Sequence, residues 1–301
     1  MNSFSNTFKT WTLMAALGGL LVAVGGLIGG QSGLVMAFLF AIALNGFVYW
    51  KSDSLALRAN GARELAPGEQ PRLQSIVGLL ADRAGIPMPR VYLVERPEPN
   101  AFATGRDPGH SAIAVTTGLL DAMDERQLIG VLAHELSHVK NRDTLIGTIA
   151  ATIGGAISFL AQMGQFQLLF GGGDEDGGNP LLVLVGVILA PIAAMVIQLA
   201  VSRGREYVAD STGALLTGDP EGLAQALETL QAAQRKQGLL GRLGGSLPRR
   251  RQPQPQANPA FSHLWIVSPL AGSDVAKLFS THPPLEDRIT RLRAMRLRRA
   301  A

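Results

Sequence analysis

The chain has 301 residues, no cysteine, and 17% charged against 47% hydrophobic residues, with a mean hydropathy of +0.20. The absence of cysteine excludes disulfide scaffolds, thiol nucleophiles and cysteine-based metal sites. Charge well below the ~25% usual in soluble domains excludes an ordinary cytosolic globule, and the apolar content excludes a long disordered chain.

The charge deficit is uneven. Thr10 to Trp50, Thr144 to Gly173 and Gly177 to Ser202 hold no Asp, Glu, Lys or Arg over 41, 30 and 26 residues. A spanning helix needs about 20 apolar residues. The first run therefore predicts two spans, Trp11–Ile28 and Leu34–Trp50, split at the glycine-rich turn Gly29–Gly33. Trp11, Tyr49 and Trp50 would then anchor one interface. A cleaved signal peptide fits poorly, because no clear small-residue cleavage site ends the first run. Next, Glu69–Ala84 carries Leu73, Ile76, Val77 and Leu80 on one helical face. Arg90–Glu95, Ala101–Thr104 and Ala112–Val115 read as short strands. Asp124 followed by Gln127 resembles a capping box that opens a helix through Val139.

Leu145–Phe170 and Leu181–Val201 predict a second pair of spans on either side of the acidic turn Asp174-Glu175-Asp176. Gln162, Gln165 and Gln167 weaken the third span, and Pro191 predicts a kink in the fourth. Asp219-Pro220 starts a helix to about Gln237. Residues 238–260, rich in Gly, Pro, Gln and Arg, read as a mobile loop. The chain thus divides into a pair of transmembrane helices (1–50), a first soluble part (51–143), a second pair of spans (144–202) and a second soluble part (203–301). The soluble parts carry eleven and fifteen Lys or Arg residues, and the short turns none. The positive-inside rule puts both soluble parts and the N-terminus in the cytoplasm, where the two parts can form one domain. The expected fold class is α+β, an integral membrane protein with four transmembrane helices and a mostly helical cytoplasmic domain holding a small β-sheet.

The chemistry is concentrated in His134-Glu135-Leu136-Ser137-His138 on a predicted helix. Histidines four apart share a helical face and can reach one metal ion, while Glu135 points aside toward a metal-bound water. A hydrolytic zinc takes three protein ligands and leaves one position open. The metzincin extension fails, since Asn141 and Thr144 stand where Gly and His are required. His110, His263 and His282 are available as third ligand. Glu206 is better placed, because it leaves the last span at the membrane surface where His138 enters the third. Asp210, four residues on, can hydrogen-bond a histidine ligand.

These segments, with Pro99-Asn100-Ala101-Phe102-Ala103, Ser202 through Asp210, and Thr281-His282-Pro283-Pro284 through Arg288, resemble the HtpX-type membrane zinc metalloproteases. Those are gluzincin relatives of the CAAX prenyl endopeptidases. The resemblance covers nearly the whole chain and implies a zincin-like domain with one Zn2+ held by His134, His138 and Glu206. It implies that Asn100, Ala101 and Phe102 lie on an edge strand that binds extended peptide by β-addition. It also implies that His282 and Arg288 face the substrate carbonyl, where a donor would stabilise the oxyanion.

The expected function is a zinc-dependent endopeptidase of the cytoplasmic (inner) membrane, with termini and active site cytoplasmic and Glu135 as general base on the zinc-bound water. By resemblance its substrates are misfolded or damaged membrane proteins and unfolded polypeptides, in stress-response quality control alongside other membrane proteases. The bilayer is a partner; nucleic acid is not. Alternatives are a CAAX-type prenyl-protein endopeptidase, which calls for more spans than four. A transporter would place ionisable groups within the spans. An inactive scaffold would not keep every motif residue.

Overall fold

A computed structural model describes residues 3–149, 203–243, 266 and 283–300. The chain begins with a long helical run, α1 (Ser3–Ala59). Gly30 breaks it with φ 58° and ψ −140°, a conformation only glycine adopts without strain. The two arms fold back on each other. Trp11 stacks on Tyr49 with ring centroids 5.9 Å apart, and Asn45 Nδ2 donates to the Met14 carbonyl at 3.2 Å. The expected pair of helices is therefore a hairpin whose turn lies inside the predicted glycine segment. Among the described residues, Gly29–Ala59 is long and apolar enough to cross a membrane, and Thr10–Ala23 forms a shorter apolar helix. Of the second expected pair, only helical residues 144–149 are described. The rest of those spans, residues 244–260, His263 and His282 lie outside the described residues.

After α1 come β1 (Ala62–Glu64), α2 (Pro71–Ala84), β2 (Arg90–Val94), β3 (Ala101–Asp107), β4 (His110–Thr116), α3 (Thr117–Ala122) and α4 (Glu125–Lys140). The second part supplies α5 (Arg203–Thr217), α6 (Pro220–Leu243) and α7 (Leu285–Ala300). The strand order is β1-β2-β4-β3, with β2 parallel to β4 and the other pairs antiparallel, so β3 is an edge. β1 escapes a reading by periodicity because it is three residues long, Ala-Arg-Glu. α6 runs six residues past the expected end at Gln237, which removes 238–243 from the expected loop.

Alternation along the strands gives the sheet two buried faces. Val91, Leu93, Ala101, Ala103, Ile113 and Val115 join the main core beneath the helices. Tyr92, Val94, Phe102, Ala112 and Ala114 pack with Leu57, near the end of α1, on the other side. The sheet thus ties the apolar hairpin to the helical domain. α4 opens with Asp124 as N-cap, its Oδ1 accepting from the Gln127 N–H at 2.8 Å. It is packed between β3, α5 and α6, the densest junction in the fold. On α5, Gly213 makes this possible, because a Cβ there would lie 3.0 Å from the His134 backbone nitrogen.

Candidate metal centre

α4 presents His134 and His138 on one face, and α5 brings Glu206 up to them. One ligand atom from each lies within 4.8 Å of the others, a mostly buried cluster. The two Nε2 atoms are 3.2 Å apart, and the Glu206 oxygens lie 3.6 Å from His134 and 3.7 Å from His138. A tetrahedral zinc with ~2.0–2.1 Å bonds sets its ligand atoms roughly 3.3 Å from one another, so these spacings fit such an ion.

The remaining ring nitrogens fix the tautomers. His134 Nδ1 lies 3.0 Å from Asp210 Oδ1, and His138 Nδ1 lies 3.0 Å from Asp143 Oδ1. With Nδ1–H donating to a carboxylate, each Nε2 lone pair faces the common point, the arrangement metal-binding histidines use. The surrounding carboxylates favour positive charge there. Burial pulls the His138 imidazole down, but without an ion Asp143, Glu206 and Glu135 outweigh it and hold its pKa up at about 10, and a bound cation would take the place of the Nε2 proton. The donor set, the spacing and the field all suit a divalent cation.

Asp210 belongs to a second arrangement. Arg288, on α7, is fully buried and donates to Asp210 through Nε at 2.9 Å and Nη2 at 2.7 Å. Its Nη1 lies 3.4 Å from Glu206 Oε2. The guanidinium therefore lies against two groups of the cluster. Arg291 stacks on Tyr207 of α5 at 3.9 Å and fastens α7 from outside. Burial raises the pKa of Asp210, yet Arg288 and His134 overcome it and hold the carboxyl at about 2.

Glu135 is 2% exposed, and its Oε1 has no hydrogen-bond partner among the described residues. Burial raises its pKa; the histidines and the Ala103 N–H lower it, and Glu206 raises it. The net upward shift suits a group that must hold a proton between two steps of a hydrolysis.

The edge of β3 faces this site, but most of its outward groups are engaged. Ala101 accepts from the Ile266 N–H at 3.1 Å, and its own N–H donates to Asn100 Oδ1 at 3.1 Å. Ala103 N–H bonds Glu135, and the Gly105 carbonyl accepts from Thr144 Oγ1 at 2.9 Å. Phe102 is buried on the far face of the sheet. A peptide adding to this edge must exchange with these groups, and it would meet the backbone of Phe102 rather than its ring.

The structure thus gathers His134, Glu135, His138, Glu206, Asp210 and Arg288. His110 pairs instead with Asp107 at the β3–β4 turn, 2.9 Å away. Two residues escaped the sequence reading. Asp143 is five residues past His138, beyond the helix end, where Arg142 turns the chain back with φ 55°; an i,i+4 rule cannot find it. Arg205 is half-buried beside Asp143 and Glu206, and its terminal nitrogens have no hydrogen-bond partner among the described residues. It stood inside the quoted segment before Glu206 without a signal of its own.

Comparison with known proteins agrees with this geometry. Residues 67–296 match peptidase family M48. The protein called Protease HtpX homolog of Pelotomaculum thermopropionicum is 48% identical over 294 residues, covering 96% of this chain and 99% of that one. The protein of the same name from Pyrococcus furiosus is 50% identical over 287 residues, 95% of this chain and 94% of that one. Among solved structures, S. mikatae Ste24p is similar with a TM-score of 0.50 at 19% identity, over 96% of this chain and 65% of that one. That likeness shows a shared fold, mostly helical with a small mixed sheet. With its HExxH helix, its buried ligand cluster and these relatives, the chain belongs to peptidase family M48, as an HtpX-type metalloendopeptidase.

Proposed function

We propose that the chain is a zinc-dependent endopeptidase, anchored in the cytoplasmic membrane by four helices, which hydrolyses misfolded or damaged membrane proteins at the cytoplasmic face. The observation that carries the catalytic part is the convergence of His134, His138 and Glu206 on one point beside Glu135. A zinc ion held there would supply Lewis-acid polarisation of the scissile carbonyl and make water a better nucleophile near neutral pH. His134, His138 and Glu206 would hold the ion. Asp210 and Asp143 keep both imidazoles in the binding tautomer. Glu135 takes a proton from the attacking water and returns it to the leaving amine. Arg288 acts by position, keeping Asp210 on His134 and lying against Glu206. His282 is proposed to face the substrate carbonyl, on the strength of the family resemblance alone.

The membrane reading is supported by the apolar hairpin and by the charge-free runs at 144–173 and 177–202. Because the chain has no cysteine, single cysteines can report topology. Cysteines introduced at Gln31 and Glu175 should react with an impermeant reagent from outside the cell, and one at Gln237 should not. For the chemistry, the purified protein in detergent with zinc is compared with Glu135→Gln on an unfolded casein-like substrate. We expect a loss of about 10³-fold in cleavage with zinc content retained. Equal cleavage by both proteins would sink the mechanism.

A further inference from the structure

A cavity of about 450 Å³ opens where the apolar hairpin meets the protease domain. Its walls include Thr10, Trp11 and Tyr49 of α1, Arg106 and Asp107 at the end of β3, and Arg142 beyond α4. We propose that this cavity binds the phosphate group of an anionic phospholipid through Arg106 and Arg142, with the acyl chains along the apolar surface of α1. The proposal rests on the reading of α1 as membrane-embedded.

Position is the first argument. Thr10 and Trp50 are the first and last residues of the 41-residue charge-free run, so the cavity lies where apolar sequence gives way to charge on both arms. In an embedded hairpin that is headgroup depth, where amphipathic aromatic rings concentrate. The neighbouring Phe8 and Trp50 are 66% and 60% exposed, an apolar surface that water does not favour and lipid does.

Charge is the second. The Arg106 guanidinium lies 4.7 Å over the Trp50 ring, which fixes its plane at the cavity wall. Its Nε is 3.6 Å from Asp107, but Asp107 is already held by His110 Nδ1 at 2.9 and 3.0 Å. Arg142 is exposed and makes no side-chain ion pair among the described residues. Its backbone has φ 55°, a strained value for a residue with a Cβ, and the kind of strain that concentrates at ligand sites. Two guanidiniums and one already engaged carboxylate leave an excess of positive charge suited to one phosphate. A free phosphate ion would not use the aromatic and aliphatic wall; a lipid would.

The cavity also adjoins the metal centre. Arg142 directly precedes Asp143, whose carboxylate holds His138, so a headgroup on Arg142 steadies the turn that orients a metal ligand.

The test uses the full-length protein in nanodiscs of phosphatidylcholine with or without phosphatidylglycerol, released for native mass spectrometry. Retained phosphatidylglycerol is counted. Each guanidinium near a headgroup is worth about fivefold in affinity, so Arg142→Gln should weaken retention about fivefold and Arg106→Gln with Arg142→Gln roughly 25-fold. Arg142→Lys should retain the lipid, which separates lost charge from lost folding. Undiminished retention in the double variant, or loss in Arg298→Gln instead, would overturn the proposal. Displacement of the lipid by inorganic phosphate in solution would mark a free-phosphate site and overturn it equally. Should alkaline carbonate extract the protein from membranes, the membrane reading itself fails; intact embedding with unchanged lipid retention refutes this site alone.

Discussion

The apolar hairpin and the metal centre invert each other's relation to burial. In α1, Phe38, Phe40, Ile42, Phe47 and Trp50 each expose more than half of their surface. Around the metal centre, His134, Glu135, Glu206, Asp210 and Arg288 each expose 5% or less. In water both choices are costly: exposed aromatics forgo burial, and buried charges lose hydration. The inversion is consistent only if the two regions face different solvents and if every buried charge has a partner. Within the centre Arg288 pairs with Asp210, Asp210 accepts from His134 Nδ1, and Asp143 lies against His138, while Glu135 Oε1 lacks a partner among the described residues and its pKa rises. The centre's stability should therefore respond to loss of a partner, while the hairpin should respond to a change of medium.

The strongest way to break this contrast is Arg288→Met. It takes both guanidinium donors from Asp210 and removes the Arg288 contact of Glu206, at a cost of about 3–5 kcal/mol, which thermal unfolding in detergent would register. Next, Asp143→Asn and Asp210→Asn each remove one carboxylate from a histidine. Each should weaken zinc binding about 10- to 100-fold by competition with a chelating dye, while leaving His134, His138 and Glu206 in place. Equal zinc affinity in either variant would show that its tautomer is fixed by something else.

Acid titration tests the same pairing by sign. Asp210 has a pKa of about 2 in the folded protein against an ordinary 3.8, so folding favours its charged form. The stability it contributes is complete above about pH 4 and is lost as pH falls through about 2. Arg288→Gln removes the cause, so the acid-unfolding midpoint followed by circular dichroism should move to higher pH. The smallest effect belongs to the hairpin. Phe40→Ser should change protease-domain stability in detergent by less than ~0.5 kcal/mol, yet reduce the protein's retention in membranes. A large loss of domain stability would mean that Phe40 packs on protein rather than lipid.

What the sequence disclosed follows from where its signals are local. The α4 helix was readable because Asp124, the apolar spacing and the two histidines all lie within one helix, and its cap forms as expected. The hairpin was readable because charge is absent and glycine marks the turn. Glu206 needed more: spacing from the membrane favoured it, and family resemblance selected it. Asp143 was hidden because its contact depends on a left-handed turn at Arg142 rather than on helical periodicity. The contacts of Arg288 with Asp210 and Glu206 were not read. A signal existed, since Arg288, Leu292 and Met295 follow one another at helical spacing on the face that packs inward.

The order of the chain gives Arg288 one more consequence. Synthesis proceeds from the N-terminus, so α4, with its histidines and Glu135, is made long before α5 brings Glu206, and α7 brings Arg288 later still. Until residue 288 leaves the ribosome, Asp210 and Glu206 lack the guanidinium that lies against them both. The nascent chain therefore carries both histidines and Glu135 early, and Arg288 reaches Asp210 and Glu206 only at the end of synthesis.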